Sequence, residues 1–204
     1  MIRDAAILMM IFLAASAAMA QIGSAGDAAK RLHALFDEDW QWRLKEYPEF
    51  ATLLGDNRYN DRLTDYSMEA IERRKAHARE MLDRIQKIDR SQLAGQDIIS
   101  YDLFLRDKML EVEGQRFFTE LMPINQMQGP HIEFGQLITA TPFRTARDYL
   151  DYLERLRAFP RLMSQMIALM ERGMAAGWVP PSEPLRSVPS QIEGQIADDP
   201  VKSP

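Results

Sequence analysis

The sequence predicts an all-α fold of about five to six helices with one irregular loop region, and three observations support this prediction. Apolar residues recur every three or four positions along most of the chain, which is the spacing of one helix face. No segment alternates apolar and polar residues as a half-buried β-strand does. The 204 residues are 27% charged and 46% hydrophobic, which is typical of globular domains rather than of disordered chains.

The first 20 residues have the pattern of an export signal. A charged start with Arg3 precedes an apolar run over residues 5–15, and the small-residue triplet Ala18-Met19-Ala20 follows it. Signal peptidase cuts after triplets of this kind. We therefore expect residues 1–20 to direct export of the chain.

The cleavage site is predicted between Ala20 and Gln21, which leaves residues 21–27 as a flexible lead. An uncleaved membrane anchor is the alternative, because residues 5–26 carry no charge and are long enough to span a bilayer. Either interpretation places the body of the protein outside the cytoplasm. The predicted location is periplasmic or extracellular, and anchoring to the inner membrane is the less favoured possibility.

The body begins with two predicted helices. The first covers Ala28–Tyr47 and ends before Pro48, and the second is shorter, covers Pro48–Leu54 and has Gly55 as its C-terminal cap. The apolar face of the first helix is predicted from residues at helical spacing: Leu32, Leu35, Phe36, Trp40, Leu44 and Tyr47.

Two long helices are predicted after a polar loop. The loop covers Asp56–Tyr66, and Ser67 caps the helix that follows it. The next helix is predicted over Ser91–Arg116 from its apolar periodicity.

The pattern then becomes irregular over Phe117–Thr145, where proline and glycine interrupt apolar residues. Thr145 and Asp148 form a capping-box-like start for a helix over Ala146–Ala158. A further helix is predicted to start at Pro160, which suits a first turn, and to end at Gly177.

Composition excludes several classes of function. The 25 basic and 30 acidic residues give a net charge of -5, so no basic stripe for nucleic acid is expected. The absence of cysteine excludes disulfides, thiol nucleophiles and cysteine zinc sites, and it also excludes a lipoprotein. Three histidines leave little material for a metal site.

The candidate binding residues lie in the irregular region. Asn125, Gln126 and His131 are polar groups in a segment stiffened by Pro123 and Pro130. Binding groups occur often on loops that a rigid scaffold positions. The alternative is that these side chains satisfy buried backbone groups around the connection.

Other candidates favour structural interpretations. His77 and Glu80 lie three residues apart in a helix dense with charge, which predicts a solvated face rather than a metal site. His33 is predicted to lie at the surface. A stripe of methionines at helical spacing indicates core packing more than copper binding: Met163, Met166, Met170 and Met174.

Five sequence blocks follow one another in a recognisable order. They are LFDEDWQWRLKEYPEFATLLGDNRYNDRLTDYS (Leu35–Ser67), SYDLFLRD (Ser100–Asp107), PINQMQGPH (Pro123–His131), TPFRTARDYLDYLERLRAFP (Thr141–Pro160) and a Gly-then-Pro-Pro segment (Gly177–Pro181). In this order they resemble the bacterial family called domain of unknown function 885. The family is similar to zincin-type metallopeptidases, so the resemblance implies a largely helical, exported, zinc-dependent hydrolase of carboxypeptidase or dipeptidase type that acts on peptides.

The family's zinc motif, a helix with His-Glu and a later His-His pair, matches no position of this sequence. The resemblance therefore implies no catalytic and no metal-binding residue in this chain, and zinc is expected only in a full-length homologue. We expect residues 28–179 to be the non-catalytic N-terminal region of such an enzyme, and residues 180–204 to be a proline-rich segment leading into a missing C-terminal half. By analogy with helical zincins, this region forms a wall of the peptide channel, and Asn125, Gln126 and His131 contact the peptide.

Two alternatives stay open. The first alternative is a stand-alone helical binding or scaffold protein of the bacterial envelope. The second is a truncated product without activity of its own. The sequence predicts no particular substrate and no oligomeric state.

Overall fold

A computed structural model describes residues 26–196 of the chain. The predicted signal peptide, its cleavage between Ala20 and Gln21, and residues 21–25 and 197–204 lie outside this range. The described residues are all-α and include no strand. Their helices are α1 (residues 26–46), α2 (Pro48–Leu53), α3 (Met68–Gln86), α4 (Gln96–Gly114), α5 (Pro130–Ala140), α6 (Ala146–Ala176), α7 (Ser182–Leu185) and α8 (Val188–Glu193). None of the helices in this range has the length and apolarity that crossing a membrane requires.

The chain divides into two compact units. Among the described residues, unit 1 consists of residues 26–40 and 75–113, and unit 2 consists of residues 41–74 and 114–196.

Unit 1 has an apolar core from α1, α3 and α4. The apolar face predicted for the first helix is confirmed at Leu32 and Leu35, which pack with Met81, Ile85 and Tyr101, but not at Trp40, which is 44% exposed. Met81 and Ile85 are fully buried. Burial of such side chains stabilises a fold by about 1.5–3 kcal/mol each, so this cluster holds the helices of the unit together.

Unit 1 also buries a charged group. Asp39 on α1 accepts a hydrogen bond from His77 Nε2 on α3 at 2.9 Å, and Lys108 Nζ on α4 lies 3.1 Å from its other carboxylate oxygen. The predicted solvated face is confirmed for Glu80, which is exposed, but is wrong for His77, because the carboxylate of Asp39 supplies a partner inside the unit. His33 lies at the surface as predicted, with its ring nitrogen 2.8 Å from a carboxylate oxygen of Asp97.

Unit 2 has its own apolar cluster. Ile71, Leu121 and Leu169 form it. Gly173 on α6 allows a close backbone approach, because a Cβ at this position would lie 2.6 Å from the Trp178 carbonyl oxygen and 2.8 Å from that of Leu121. The methionine stripe on α6 is only partly core: Met166 is buried, whereas Met174 is 64% exposed.

Helix α6 is continuous over Ala146–Ala176, so the predicted division into two helices at Pro160 is wrong. Proline removes one hydrogen bond of the helical ladder. The buried side chains on both sides of this position share one face, and their packing keeps the helix in one piece: Arg155, Leu162, Met166 and Leu169. The predicted ends are confirmed, since Thr145 and Asp148 form a capping box and Gly177 adopts φ 74°.

The segment Phe117–Thr145, predicted as irregular, contains α5. Pro130 occupies the first turn of this helix, where the missing proline N–H would have no partner in the helix. Gly129 is the N-cap and adopts φ 132°, which glycine tolerates. Helix α4 starts at Gln96 rather than at Ser91, because Ser91 belongs to a 3-10 turn over Arg90–Gln92 and Gly95, at φ 56°, separates that turn from the helix. The proline-rich segment contains the short helices α7 and α8.

The predicted helix caps of the earlier segments are confirmed. Ser67 caps α3, since its hydroxyl accepts a hydrogen bond from the backbone N–H of Ala70 at 3.2 Å. Gly55 follows α2 at φ 83°. Helix α1 already includes residues 26 and 27, two residues before the predicted start.

Candidate functional site

One side chain of α6 anchors the loop that follows α2 in unit 2. Arg155 is fully buried. Its guanidinium donates to the Arg62 carbonyl at 2.8 Å, the Thr52 hydroxyl at 2.7 Å, the Pro48 carbonyl at 3.2 Å and the Tyr59 carbonyl at 3.3 Å. Burial lowers the pKa of Arg155, because desolvation disfavours the charged form. Arg155 therefore fixes α2 and the loop on α6.

A second α6 side chain sets the end of the same loop. The side chain of Gln165 accepts a hydrogen bond from the Tyr66 backbone N–H at 3.0 Å and donates one to the Asp65 carboxylate at 2.8 Å. The Ser67 backbone N–H also donates to Asp65, at 2.8 Å. These hydrogen bonds fix the backbone at Tyr66 and therefore the position of its Cα, from which the side chain extends.

The first turn of α2 holds the middle of the loop. The Glu49 carboxylate accepts hydrogen bonds from the Thr64 backbone N–H at 2.9 Å and from its hydroxyl at 2.6 Å. Both oxygens of Glu49 are engaged in this way, and Thr64 is buried. Glu49 is thus part of the framework of the site.

These elements, together with α5 and α6, surround a cavity of about 260 Å³. Most of its wall is apolar or aromatic: Phe50, Leu53, Pro130, Phe134, Leu137, Leu162 and Met166. The remainder is polar: Tyr47, Glu49, Thr64, Tyr66, Glu133 and Gln136. A mostly apolar pocket with a few convergent polar groups is the usual form of a ligand site.

Tyr66 supplies one of the hydrogen-bond donors among the residues that line the cavity. Burial, together with the negative charges of Glu49 and Glu133, raises the pKa of Tyr66 to about 12, although Arg74 acts in the opposite direction. The phenol therefore stays protonated at neutral pH and can donate a hydrogen bond to a ligand.

Of the two carboxylates that line the cavity, Glu133 accepts fewer hydrogen bonds from the described residues. It lies in the first turn of α5, and one of its oxygens accepts a hydrogen bond from the Gly129 backbone N–H at 3.2 Å. It is exposed, and no basic group of the described chain lies within 4.0 Å of its carboxylate. Its negative charge is therefore available to a bound molecule.

Asn125 builds a turn. Its side-chain oxygen accepts hydrogen bonds from the backbone N–H groups of Met127 at 2.8 Å and Gln128 at 3.0 Å. This is the role that asparagine commonly has in loops, and it agrees with the alternative that such side chains satisfy the backbone.

Gln126 has an exposed side chain, and its backbone is fixed to the α7–α8 region. Its N–H donates to the Pro184 carbonyl at 3.0 Å, and its carbonyl accepts a hydrogen bond from the Gln191 side chain at 3.1 Å. Both of these hydrogen bonds involve the backbone of Gln126, so they do not fix its side chain.

His131 is the second residue of α5 and is only 9% exposed. Both of its ring nitrogens are buried and have no hydrogen-bond partner among the described residues. The ring lies against Gly129, where a Cβ would be 2.9 Å from Nδ1. Asn125, Gln126 and His131 are not among the residues that line the cavity, and their predicted contact with a peptide stays a prediction.

Reasoning from the sequence missed the cavity because its walls come from distant segments. Tyr66 and Glu133 are separated by a helical unit and an irregular connection. Tyr66 belongs to the Leu35–Ser67 block, to which the sequence assigned no site residue, and Glu133 belongs to none of the five blocks. The only local signals were the turn-rich loop before Ser67 and the Pro130 that starts α5.

A zinc site does not fit the part of the chain that the structure describes. No three His, Asp or Glu side chains in that part lie close enough together to hold one metal ion. We therefore derive no step through zinc from these residues.

The described residues form an all-α protein with a mostly apolar, carboxylate-bearing cavity. A family model, described as "Bacterial protein of unknown function (DUF885)", matches residues 48–204. The chain belongs to this family, which confirms the predicted membership; the matched range includes every cavity residue except Tyr47. No curated protein matches the chain.

Proposed function

We propose that this chain is the peptide-binding, non-catalytic part of an exported zinc-dependent peptidase, and that the cavity of unit 2 belongs to the wall of its substrate channel. The cavity carries this proposal, because it combines an apolar wall with donors and acceptors at fixed positions. The zinc-dependent activity rests on the resemblance of the family to zincin-type metallopeptidases.

A peptide suits the chemistry of the cavity. The aromatic and aliphatic wall favours an amino-acid side chain, because burial of apolar surface is favourable. The protonated Tyr66 hydroxyl is a donor for a peptide carbonyl, and the Gln136 amide offers both a donor and an acceptor to the peptide backbone. A volume of about 260 Å³ lies just below the usual range of ligand pockets, about 300–1,000 Å³, and this favours one side chain over a whole large ligand.

A matched pair of variants tests the proposal. Leu53 and Leu54 are adjacent and exposed, but only Leu53 lines the cavity. The probe is a neutral pentapeptide of sequence AALAA, acetylated and amidated at its ends, titrated into the chain by calorimetry. Leu53→Trp narrows the cavity and is expected to weaken binding at least about tenfold, or by about 1.4 kcal/mol, whereas Leu54→Trp leaves it unchanged.

Equal binding by both variants would place the peptide elsewhere, and no binding by the parent chain would remove the proposal. If the chain binds the peptide but the native envelope fraction contains it as a separate polypeptide without associated peptidase activity, the stand-alone binding protein is the correct interpretation.

Export is tested by the intact mass of the protein from the native envelope fraction. We expect a mature chain that starts at Gln21. A protein that retains residues 1–20 and stays in the membrane fraction would support the anchor instead, and a full-mass protein in the cytoplasm would contradict both.

A further inference from the structure

We infer that the unit 2 cavity selects a primary ammonium group on an aliphatic stem, and that Glu133 is its charge partner. This inference rests on the proposed function and specifies its substrate class. The two sources of such a group in a peptide are a lysine side chain and a free amino terminus.

The charge of the cavity wall favours a cation. Glu49 and Glu133 both line the cavity, and none of its lining residues is Lys, Arg or His. Both carboxylates raise the pKa of Tyr66, which places their negative potential at the cavity wall. Electrostatic complementarity of this kind selects partners by sign.

Glu133 and Glu49 differ in how many of their carboxylate oxygens already accept hydrogen bonds. Among the residues that the structure describes, both oxygens of Glu49 accept hydrogen bonds from Thr64, whereas Glu133 accepts only the Gly129 N–H, on one of its oxygens. The second oxygen of Glu133 is free to accept a charge-assisted hydrogen bond from an ammonium group.

Three cations of unit 2, Arg43, Arg74 and Arg155, lie near the cavity without lining it. Arg43 lies over the ring of Phe50, 5.2 Å from its centroid. Arg74 stacks over the Tyr66 ring at 6.0 Å and donates to the Asp65 carbonyl at 2.8 Å. Arg155 is held by the carbonyls described above. None of the three lies within the 4.0 Å ion-pair distance of Glu133, so the Glu133 end of the wall keeps its negative charge.

The apolar wall beside Glu133 suits the methylene groups of the stem. Phe134 and Leu137 follow Glu133 on α5 and line the cavity with Leu53. Long cationic side chains bury their methylene groups against apolar surface while the charged end stays near water or a carboxylate. Because Glu133 is exposed, the ammonium group keeps part of its hydration, which limits the cost of desolvation.

Three pentapeptide probes test the inference by calorimetry at about 20 mM salt, where charge is weakly screened. The first is AAKAA with both ends blocked, the second is AALAA with a free amino end and a blocked carboxyl end, and the third is the fully blocked AALAA. At least one of the two cationic probes is expected to bind about tenfold more tightly than the neutral probe. Whichever of them binds more tightly identifies the source of the ammonium group.

Glu133→Gln removes the charge and keeps an acceptor for the Gly129 N–H. We expect this variant to weaken binding of the preferred cationic probe about fivefold and to leave the neutral probe unchanged. Glu154→Gln on α6 is the matched control, because Glu154 is exposed and does not line the cavity.

Equal affinity for all three probes, or a cation preference that survives Glu133→Gln, would overturn the inference and leave the proposed function intact. The absence of binding by all three probes would instead contradict the proposed function.

Discussion

The two units bury charge in different ways. In unit 1, the Asp39 carboxylate faces the Lys108 ammonium and the His77 ring, so a negative group meets its partners inside the core. In unit 2, the Arg155 guanidinium is fully buried, no carboxylate of residues 26–196 lies within 4.0 Å of it, and its partners are neutral oxygens.

The difference shows what each buried charge holds in place. Asp39 links α1, α3 and α4, which are regular elements with satisfied backbones. Arg155 satisfies carbonyls of an irregular loop, and that loop supplies the Thr64 and Tyr66 walls of the cavity. A buried carbonyl without a partner costs about 1–3 kcal/mol, so the guanidinium stabilises the loop conformation directly.

The largest expected effect comes from removing the unit 2 cation. Arg155→Ala leaves the Arg62 and Tyr59 carbonyls without this donor and creates a void, and we expect the free energy of unfolding to fall by about 4 kcal/mol. Chemical denaturation measures it. The exposed Arg157, on the same helix, is the control, and Arg157→Ala should change the free energy by less than about 0.5 kcal/mol. Equal effects at the two positions would show that Arg155 does not anchor the loop.

The corresponding change in unit 1 is Asp39→Asn. It leaves the buried Lys108 with only Glu111 as an ionised partner, and we expect the free energy of unfolding to fall by about 3 kcal/mol. Asp37→Asn is the control, because Asp37 is exposed on the same helix. A loss below about 1 kcal/mol would mean that water or the neutral amide replaces the carboxylate without difficulty.

Two glycines sharpen the description of packing. Gly173→Ala places a methyl group against two backbone carbonyls of unit 2 and should destabilise the protein by about 2 kcal/mol. Gly114→Ala meets nothing within 4 Å and lies at a helical φ of -62°, so it should stabilise the protein by about 0.5 kcal/mol. Thermal denaturation gives both values, and the same sign at both sites would contradict the close approach at Gly173.

The pH dependence of the unit 1 pair is a smaller effect than the losses expected for Arg155→Ala and Asp39→Asn. Burial acts to raise the pKa of Asp39, but the His77 hydrogen bond and the Lys108 charge hold it below its ordinary value. Ionised Asp39 therefore contributes stability above about pH 3.9, the value in the unfolded chain, and this contribution is lost as the pH falls through the folded pKa. The destabilisation by Asp39→Asn should thus be about 1 kcal/mol smaller at about pH 2.5 than at neutral pH. A pH-independent difference would contradict the lowered pKa.

Local signals predicted much of the fold. Three helix ends were predicted from residues that lie within a few positions of them: Ser67, the Thr145–Asp148 capping box and Gly177. The structure confirms all three. The continuity of α6 through Pro160 could not be predicted in this way, because it depends on packing against other elements of unit 2.

The candidate site was less accessible to prediction for the same reason. The Arg155–Arg62 hydrogen bond joins residues 93 positions apart, and the Tyr66–Gln165 bond joins residues 99 positions apart. Single-sequence patterns contain no signal for such pairs, so the prediction concentrated on the loop with Asn125 and Gln126, whose polar character is local.

The central claim is that a peptide binds in the cavity of unit 2, and methionine methyl NMR tests it most directly. Met166 lines the cavity, whereas Met81 is buried in the core of unit 1. With ¹³C-methyl methionine and assignments from Met166→Leu and Met81→Leu, titration of the fully blocked AALAA probe should shift the Met166 signal to saturation and leave the Met81 signal in place. A Met166 signal that stays fixed, or a Met81 signal that moves as far, would contradict binding at the cavity.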